Sequence, residues 1–299
     1  MTIDYDKLKA WPFPELEHSY GTRDSSLYAL GVGLGMDPLD RDQLRFLYEL
    51  HDDGMQALPT MAVVLATPGF WLKEPATGVD WVKVLHGEQG IRIHKPLPAA
   101  SIVVGSGAVE EIIDKGEGKG ALIFQTRKVH DKATGDHLAT LTSTTFARGD
   151  GGFSGPGGQA HKPQAPAPHP VPDRAPDMTC DLPTLKQAAL VYRLSGDYNP
   201  LHADPKVAES AGFRAPILHG LATLGVAGHA LLRTACGYDA TRFRALQLRF
   251  TSPVYPGETI RTEMWRDGSD PDGEVISFRA RVVERDIVVL NNGRFVAGA

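Results

Sequence analysis

The sequence predicts an α+β fold built twice, as two antiparallel sheets that each wrap a buried central helix. Three observations carry this. The same order of segments occurs on both sides of residues 149–176, and such internal repeats define architecture. The segment LHGLATLGVAGHALLRTACG (218–237) is apolar nearly all round from Leu221 to Leu232, so a helix there must be buried on every side. The stretches that follow alternate like half-buried antiparallel strands.

The elements run in parallel order in the two halves. LYALGVGLGMDPLD (27–40) leads to ALPTMAVVLATPG (57–69), and LVYRLSGDYNPLHADP (190–205) leads to ILHGLATLGVAG (217–228). Each pair reads as a helical segment, a loop and a long apolar helix. A proline-marked strand start follows in each half, HKPLPAASIVVGSGAVEEI (94–112) and FTSPVYPGETIRTEMW (250–265). Alternation continues in GALIFQTRKVHD and EVISFRARVVER, which gives three or four strands per half. The Ala and Gly of 218–237 let sheet side chains approach closely, and Gly237 is placed to stop the helix. A curved antiparallel sheet around a buried helix is the hotdog arrangement, and two in one chain make a double hotdog. Residues 149–176, GDGGFSGPGGQAHKPQAPAPHPVPDRAP, lose all apolar periodicity. They read as a linker, flexible first and then extended, between residues 1–148 and 177–299. His161 and His169 fall in it and are not read as metal ligands, since no folded geometry holds them.

Composition narrows the function. The chain has 299 residues, 42% hydrophobic and 22% charged, with a net charge of −5. That suits a globular protein with a real core. No basic run is present, which argues against nucleic acid and anionic membrane as partners, and no apolar run is long enough to span a membrane. Cys180 and Cys236 lie in no CxxC or Cys/His spacing, so no zinc site or disulfide framework is expected; they read as buried or idle thiols. GVGLG (31–35) follows no strand and is no dinucleotide fingerprint, so no cofactor is expected. The acidic start MTIDYDKLKAWPFPELE, broken by Pro12 and Pro14, is unlike a signal peptide. The end, RFVAGA, carries no anchor or peroxisomal tripeptide. The expected location is cytoplasmic.

The chemistry concentrates in YRLSGDYNPLHADPKVAESAGFRAPILHG (192–220). Asp197, Asn199 and His202 stand close together on a loop stiffened by Pro200, Pro205 and Pro216, which runs into His219-Gly220 at the start of the apolar helix. A neutral imidazole beside an ionised carboxylate can move protons near neutral pH. An amide can hold the carboxylate or a water without titrating. At the helix start the Gly220 N–H has no intrahelical partner and sits at the positive end of the dipole. It can serve as an oxyanion donor, and the missing Cβ leaves a ligand room to approach. Plainer roles exist for each. An Asp near a helix start is usually a cap, and a single His is usually a satisfied surface or core residue. Asp204 reads as a cap or turn residue, His219 as a cap or as the orienter of a neighbour. Tyr192 fits either the site mouth or the core.

The pattern YRLSGDYNPLHADP…PILHGLATLG resembles the MaoC-like (R)-specific enoyl-CoA hydratases. The chain as a whole is similar to the two-hotdog hydratase 2 enzymes of fatty-acid β-oxidation. RDSSLYALGVGLG, LRFLYELHDDGMQALPTMAVV, VLHGEQGIRIHKPLP, VEEIIDKGEGKGALI and LRFTSPVYPGETIRTEMW carry the likeness outside the loop. It runs from about residue 20 to the C-terminus, the linker excepted. It implies syn hydration of trans-2-enoyl-CoA to the (R)-3-hydroxyacyl-CoA, an acyl-CoA thioester as partner, and a homodimer. It implies Asp197 and His202 as the catalytic pair, with Asn199 and Gly220 beside them. It further implies substrate contacts at His86, Gly87, Lys115, Tyr198, Pro200, Leu201 and Phe250. Lys115, with Lys119 nearby, can meet a CoA phosphate as a point charge or simply be a solvated loop lysine; Phe250 can equally be a core aromatic. Glu49 and Asp53 also match the family pattern and are expected in structural ion pairs. The first half has GVGLGMDP in place of SGDYNPLH and LPTMA in place of LHGLA. It is expected to lack a site of its own and to make room for the acyl chain. Gly90 in GEQGIRIH is expected at a bulge or a widened pocket. Two other functions stay open: a hotdog thioesterase attacking C1, and a non-enzymatic acyl-CoA-binding hotdog.

Overall fold

Residues 3–155 and 165–299 are described in a computed structural model; His161 lies outside them. Ten strands carry the fold: β1 Leu16–Tyr20, β2 Val84–Ile93, β3 Ser101–Asp114, β4 Ala121–Asp131, β5 His137–Ala147, β6 Met178–Pro183, β7 Phe243–Phe250, β8 Thr259–Asp270, β9 Gly273–Val282 and β10 Ile287–Ala297. They form one antiparallel sheet in the order β1-β3-β4-β5-β2-β7-β10-β9-β8-β6. Read inward from either edge, the two halves have the same strand order, so the repeat seen in the sequence is a repeat of topology. The double hotdog is borne out. Its two sheets are joined, because β2 pairs with β7 from Glu88↔Arg249 to Arg92↔Ala245. Each half has five strands. The unforeseen β1 and β6 are short edge strands with weak alternation, ahead of the segments the repeat was read from.

The second half has its central helix, Gly220–Cys236, buried without a break from Ala222 to Leu232. Gly237 ends it in the left-handed conformation, φ 58°, as the sequence suggested. Burying each of Leu224, Leu231 and Leu232 contributes about 1.5–3 kcal/mol. The small residues have a different purpose from the one expected. A Cβ on Gly225 would lie 2.4 Å from Val32 Cγ1, and one on Gly228 would lie 2.4 Å from Thr60 Cγ2. They admit the first half of the chain, not only the helix's own sheet.

The first half has no long central helix. In its place stands a 3-10 segment, Pro59–Val64, with every residue buried. The reason is local. Pro59 opens the segment, Thr60, Val63 and Val64 are β-branched, and Ala66 takes a positive φ of 46°. Pro68 then biases Thr67 away from helical backbone. The short segment fills less of the concave sheet than the helix does.

The described part of the linker is packed, contrary to expectation. The Asp114 carboxylate accepts from the N–H groups of Gly116, Gly152 and Ser154 at 2.7–2.8 Å. Its burial raises the pKa, and those bonds outweigh the burial and bring it to about 2. Further on, the His169 carbonyl accepts from Asn292 Nδ2 and its ring meets Ser277 Oγ at 2.7 Å. The Arg174 carbonyl accepts from the indole N–H of the fully buried Trp265. The extended stretch thus covers β8 and β9 and satisfies a buried donor. Cys236 is buried and Cys180 partly so, both as free thiols.

The seam between Gly228 and Thr60 can be tested. Alanine is the better helix former by about 1 kcal/mol, yet the new methyl collides with a buried β-branched side chain. Gly228→Ala should therefore destabilise by about 1–3 kcal/mol. Adding Thr60→Ser, which removes the opposing methyl, should recover most of the loss in thermal unfolding. A Gly228→Ala melting temperature at or above wild type would show that this seam has slack.

Candidate active site

The loop is built from short turns that each end where the next begins. The helix Ala188–Tyr192 passes into a 3-10 turn, Arg193–Ser195, which Gly196 closes at φ 117°. Only glycine adopts that backbone cheaply, and it turns the chain toward Asp197. Asp197 Oδ1 accepts from the Asn199 N–H at 3.2 Å. Asn199 Oδ1 accepts from the Leu201 N–H and caps the turn Pro200–His202. Asn199 thus holds the Asp197 carboxylate through its backbone N–H and caps the next turn through its side-chain oxygen. Asp204 caps Pro205–Ser210 through the Lys206 N–H, as expected.

Three side chains converge. A carboxylate oxygen of Asp197 and one ring nitrogen from each of His202 and His219 all lie within 4.8 Å of one another. Among the described residues this is the grouping of three donors close enough to share a cation. His202 Nδ1 is 2.9 Å from the Ile217 carbonyl. A carbonyl only accepts, so Nδ1 carries the proton and the neutral ring keeps a lone pair on Nε2. His219 Nε2 donates to the Asp197 carbonyl at 3.1 Å, which ties the helix start to the loop. The two imidazoles stack with centroids 3.8 Å apart. Burial lowers the His202 pKa below 6.5, against the Ile217 carbonyl and Asp197, which raise it. Burial and the neighbouring His202 bring His219 down to about 4. Both rings are neutral at pH 7. Tyr192 is in the core, fully buried, with its ring 5.0 Å from His219 and 5.8 Å from Tyr28.

Gly220 is the first residue of the central helix and is exposed. A Cβ there would lie 3.3 Å from Phe250 Cε1. The Phe250 ring is in turn 4.8 Å from His86, and His86 Nε2 donates to the Glu88 carbonyl at 3.1 Å. Residues far apart in sequence, His86, Gly220 and Phe250, thus meet beside Asp197. Gly87 occupies a bulge, since pairing with β5 shifts register between His86 and Glu88. Gly90 does not: it pairs regularly with Thr142 and Gln247, and a Cβ would lie 2.3 Å from Thr142 Oγ1. Close packing, not a bulge, explains that glycine.

Lys115 is exposed on the β3–β4 turn with Nζ 5.1 Å from the Phe146 ring. Phe146 pairs with Leu85, so the lysine stands at the His86 end of the sheet. Tyr198 is 58% exposed, with Arg193 4.9 Å over its ring. Pro200 is exposed and Leu201 partly buried beside it. Asp53 pairs with Arg45 at 3.3 Å. Glu49 is exposed and forms no ion pair among the described residues, which corrects that half of the expectation.

A cavity of about 230 Å³ opens in the first half. His86 and Leu221 line it, so it adjoins the start of the central helix. Phe13, Val63, Trp71 and Leu72 supply apolar wall, and Gln89, Gln125 and Arg127 supply polar wall. Arg193 and Arg127 were missed in the sequence. Each looks like an ordinary basic residue in a helical turn or strand, and only the fold brings them to this region.

Residues 168–287 match the MaoC like domain, and residues 18–149 match the MFE-2 hydratase 2 N-terminal domain. The chain is 42% identical to 3-hydroxyacyl-thioester dehydratase Y of Mycobacterium tuberculosis, over 100% of both chains. It is 38% identical to the peroxisomal enoyl-CoA hydratase 2 of Arabidopsis thaliana, over 95% of this chain and 93% of that one. Among solved structures, a MaoC-like dehydratase from Phytophthora capsici superposes with a TM-score of 0.83 at 37% identity, covering 98% of each chain. With both halves matched and identity of this level over its full length, the chain belongs to the MaoC-like, hydratase 2 family of double-hotdog proteins.

Proposed function

We propose that the chain is a hydro-lyase that reversibly hydrates trans-2-enoyl-CoA to (R)-3-hydroxyacyl-CoA in fatty-acyl-CoA metabolism. The observation that carries this is the Asp197–His202 pair. A carboxylate and a ring with a fixed tautomer stand together at the mouth of a helix whose first N–H is uncommitted. The names of the two relatives, an enoyl-CoA hydratase and a 3-hydroxyacyl-thioester dehydratase, support the reaction class.

In this reading a water is held between the Asp197 carboxylate and His202 Nε2. The pair takes a proton as the oxygen attacks C3 and returns one to C2. Charge that builds on the thioester oxygen is met by the Gly220 N–H and the helix dipole. His219 positions Asp197 through its backbone carbonyl, and its neutrality spares His202 a second positive charge at stacking distance. Phe250 and His86 flank the thioester, while Lys115, Tyr198, Pro200 and Leu201 line the approach of CoA. The reading retains a homodimer and a cytoplasmic location. A thioesterase would release thiol from an enoyl-CoA; this reading requires loss of enoyl absorbance without thiol.

Asp197→Asn keeps shape and removes the charge. It should slow hydration about 10²-fold or more with little change in melting temperature, and His202→Ala should act alike. Near-normal turnover by either variant refutes the assigned pair. The pH dependence follows from the sign of the His202 shift. The working form is neutral, so kcat/KM falls as pH drops through a pKa held below 6.5 by burial. The midpoint of the acid limb should lie below 6.5, and a midpoint at or above it would remove His202 as the group seen. Because both groups come from one short loop, they address one face of the enoyl group, and addition should be syn. Coupling the product to an (S)-specific 3-hydroxyacyl-CoA dehydrogenase should give little NADH; rapid and complete oxidation overturns the assigned hand.

A further inference from the structure

The cavity beside the site has an unusual floor. On β4 the core-facing positions are Ile123, Gln125, Arg127 and Val129, with Ile123 and Val129 fully buried. β9, which holds the same place in the other half, carries Ile276, Phe278, Ala280 and Val282 there, all fully buried. A guanidinium and an amide thus stand where the catalytic half is wholly apolar, and both line the cavity.

Arg127 Nη2 donates to the Val63 carbonyl at 2.8 Å and more weakly to the Ala62 carbonyl at 3.4 Å. Those are end carbonyls of the 3-10 segment, so part of its role is to cap. That leaves the charge unanswered. No carboxylate pairs with Arg127 among the described residues, and its Nε is sealed from solvent with no partner. Burial alone, with no opposing acid, pulls its pKa down to about 10, so it stays charged. A cation without a counter-ion at a cavity wall is costly unless something fills the place. The best complement is a carboxylate, which a guanidinium can hold through two parallel bonds.

We propose that this cavity selects enoyl-CoA chains ending in a carboxylate, with Arg127 as the residue that recognises the far end. The inference rests on the hydratase reading, because it takes the thioester to lie at Gly220 and the chain to pass His86 into the cavity. The apolar wall of Phe13, Trp71 and Leu72 then holds the methylenes.

The test uses two series of trans-2-enoyl-CoA of increasing length, one ending in methyl and one in carboxylate. Wild type, Arg127→Lys and Arg127→Met are compared by loss of enoyl absorbance, with crotonyl-CoA as reference and melting temperature as a check of folding. Wild type should favour the carboxylate series at one chain length. Arg127→Met should lose about tenfold to a hundredfold in kcat/KM on that substrate while crotonyl-CoA stays within about twofold. Arg127→Lys should keep part of the preference. Equal handling of both series by wild type, or an unchanged ratio in Arg127→Met, overturns the proposal. If no enoyl-CoA is hydrated, the hydratase reading falls by itself. Calorimetry with saturated acyl-CoA then decides on Arg127: tighter binding of the carboxylate-ended chain, lost in Arg127→Met, supports it, and equal binding ends it.

Discussion

Everything in this molecule is arranged around the burial of one helix, Gly220–Cys236. A helix apolar on every side cannot stop at one sheet. Its own half covers one flank through β6, β7, β8 and β10, and the first half covers the other through Tyr28, Val32 and Thr60. Gly225 and Gly228 set how near that second layer comes. The helix start is fixed as a consequence. Leu218 N donates to the Val254 carbonyl at 2.7 Å, His219 is 1% exposed, and Gly220 emerges at the surface between them and Phe250. The place of the Gly220 N–H, the proposed oxyanion donor, is thus set by core packing, while the loop carrying Asp197 and His202 is tied to it through His219 and Ile217.

The two halves share a topology and divide the work. The second keeps the helix and with it the positive end of a dipole beside Asp197 and His202. The first replaces the helix with six residues of 3-10 turn. The volume given up becomes cavity, lined by the same β2 that pairs with β7 across the junction. That strand also carries His86 toward Phe250. One sheet therefore connects the wall of the cavity to the wall of the site, and the ion pair of Glu88 with Arg249 at 2.5 Å crosses the same junction. Both members are partly exposed, so it adds little stability; strand pairing and the helix seam hold the halves together.

Much of this was legible in the sequence for physical reasons. A long apolar run with Ala and Gly can only be a buried helix, and Gly237 can be read as its stop. Asp197 and His202 are close in sequence, so the turns that join them cannot carry them far apart, whereas Gly220 is brought to them by the bonds of Ile217 to His202 and of His219 to Asp197. The first-half helix misled because ALPTMAVVL has the composition of a buried helix but too little length between Pro59 and Pro68. The linker misled because composition reports backbone preference and not what lies beneath: Trp265 and Asp114 needed partners, and the Gly/Pro segment supplied a carbonyl and two N–H groups. Gly90 was read through backbone freedom when a neighbouring threonine hydroxyl was the cause. Arg127 gave no local signal, since its meaning depends on which face of β4 meets a cavity.

The stacked pair His202 and His219 shows how the site gains its direction. Two imidazoles 3.8 Å apart cannot both be charged at modest cost, and each has already given one nitrogen to a carbonyl. The Ile217 carbonyl leaves His202 with its lone pair on Nε2. The Asp197 carbonyl turns His219 the other way, with Nδ1 buried and without a hydrogen-bond partner. Each ring therefore keeps one unprotonated nitrogen, Nε2 on His202 and Nδ1 on His219, and the one on His219 is sealed from solvent. Burial holds both imidazoles below their ordinary pKa, and a ring that binds protons weakly suits the reversible proton transfer proposed for this site.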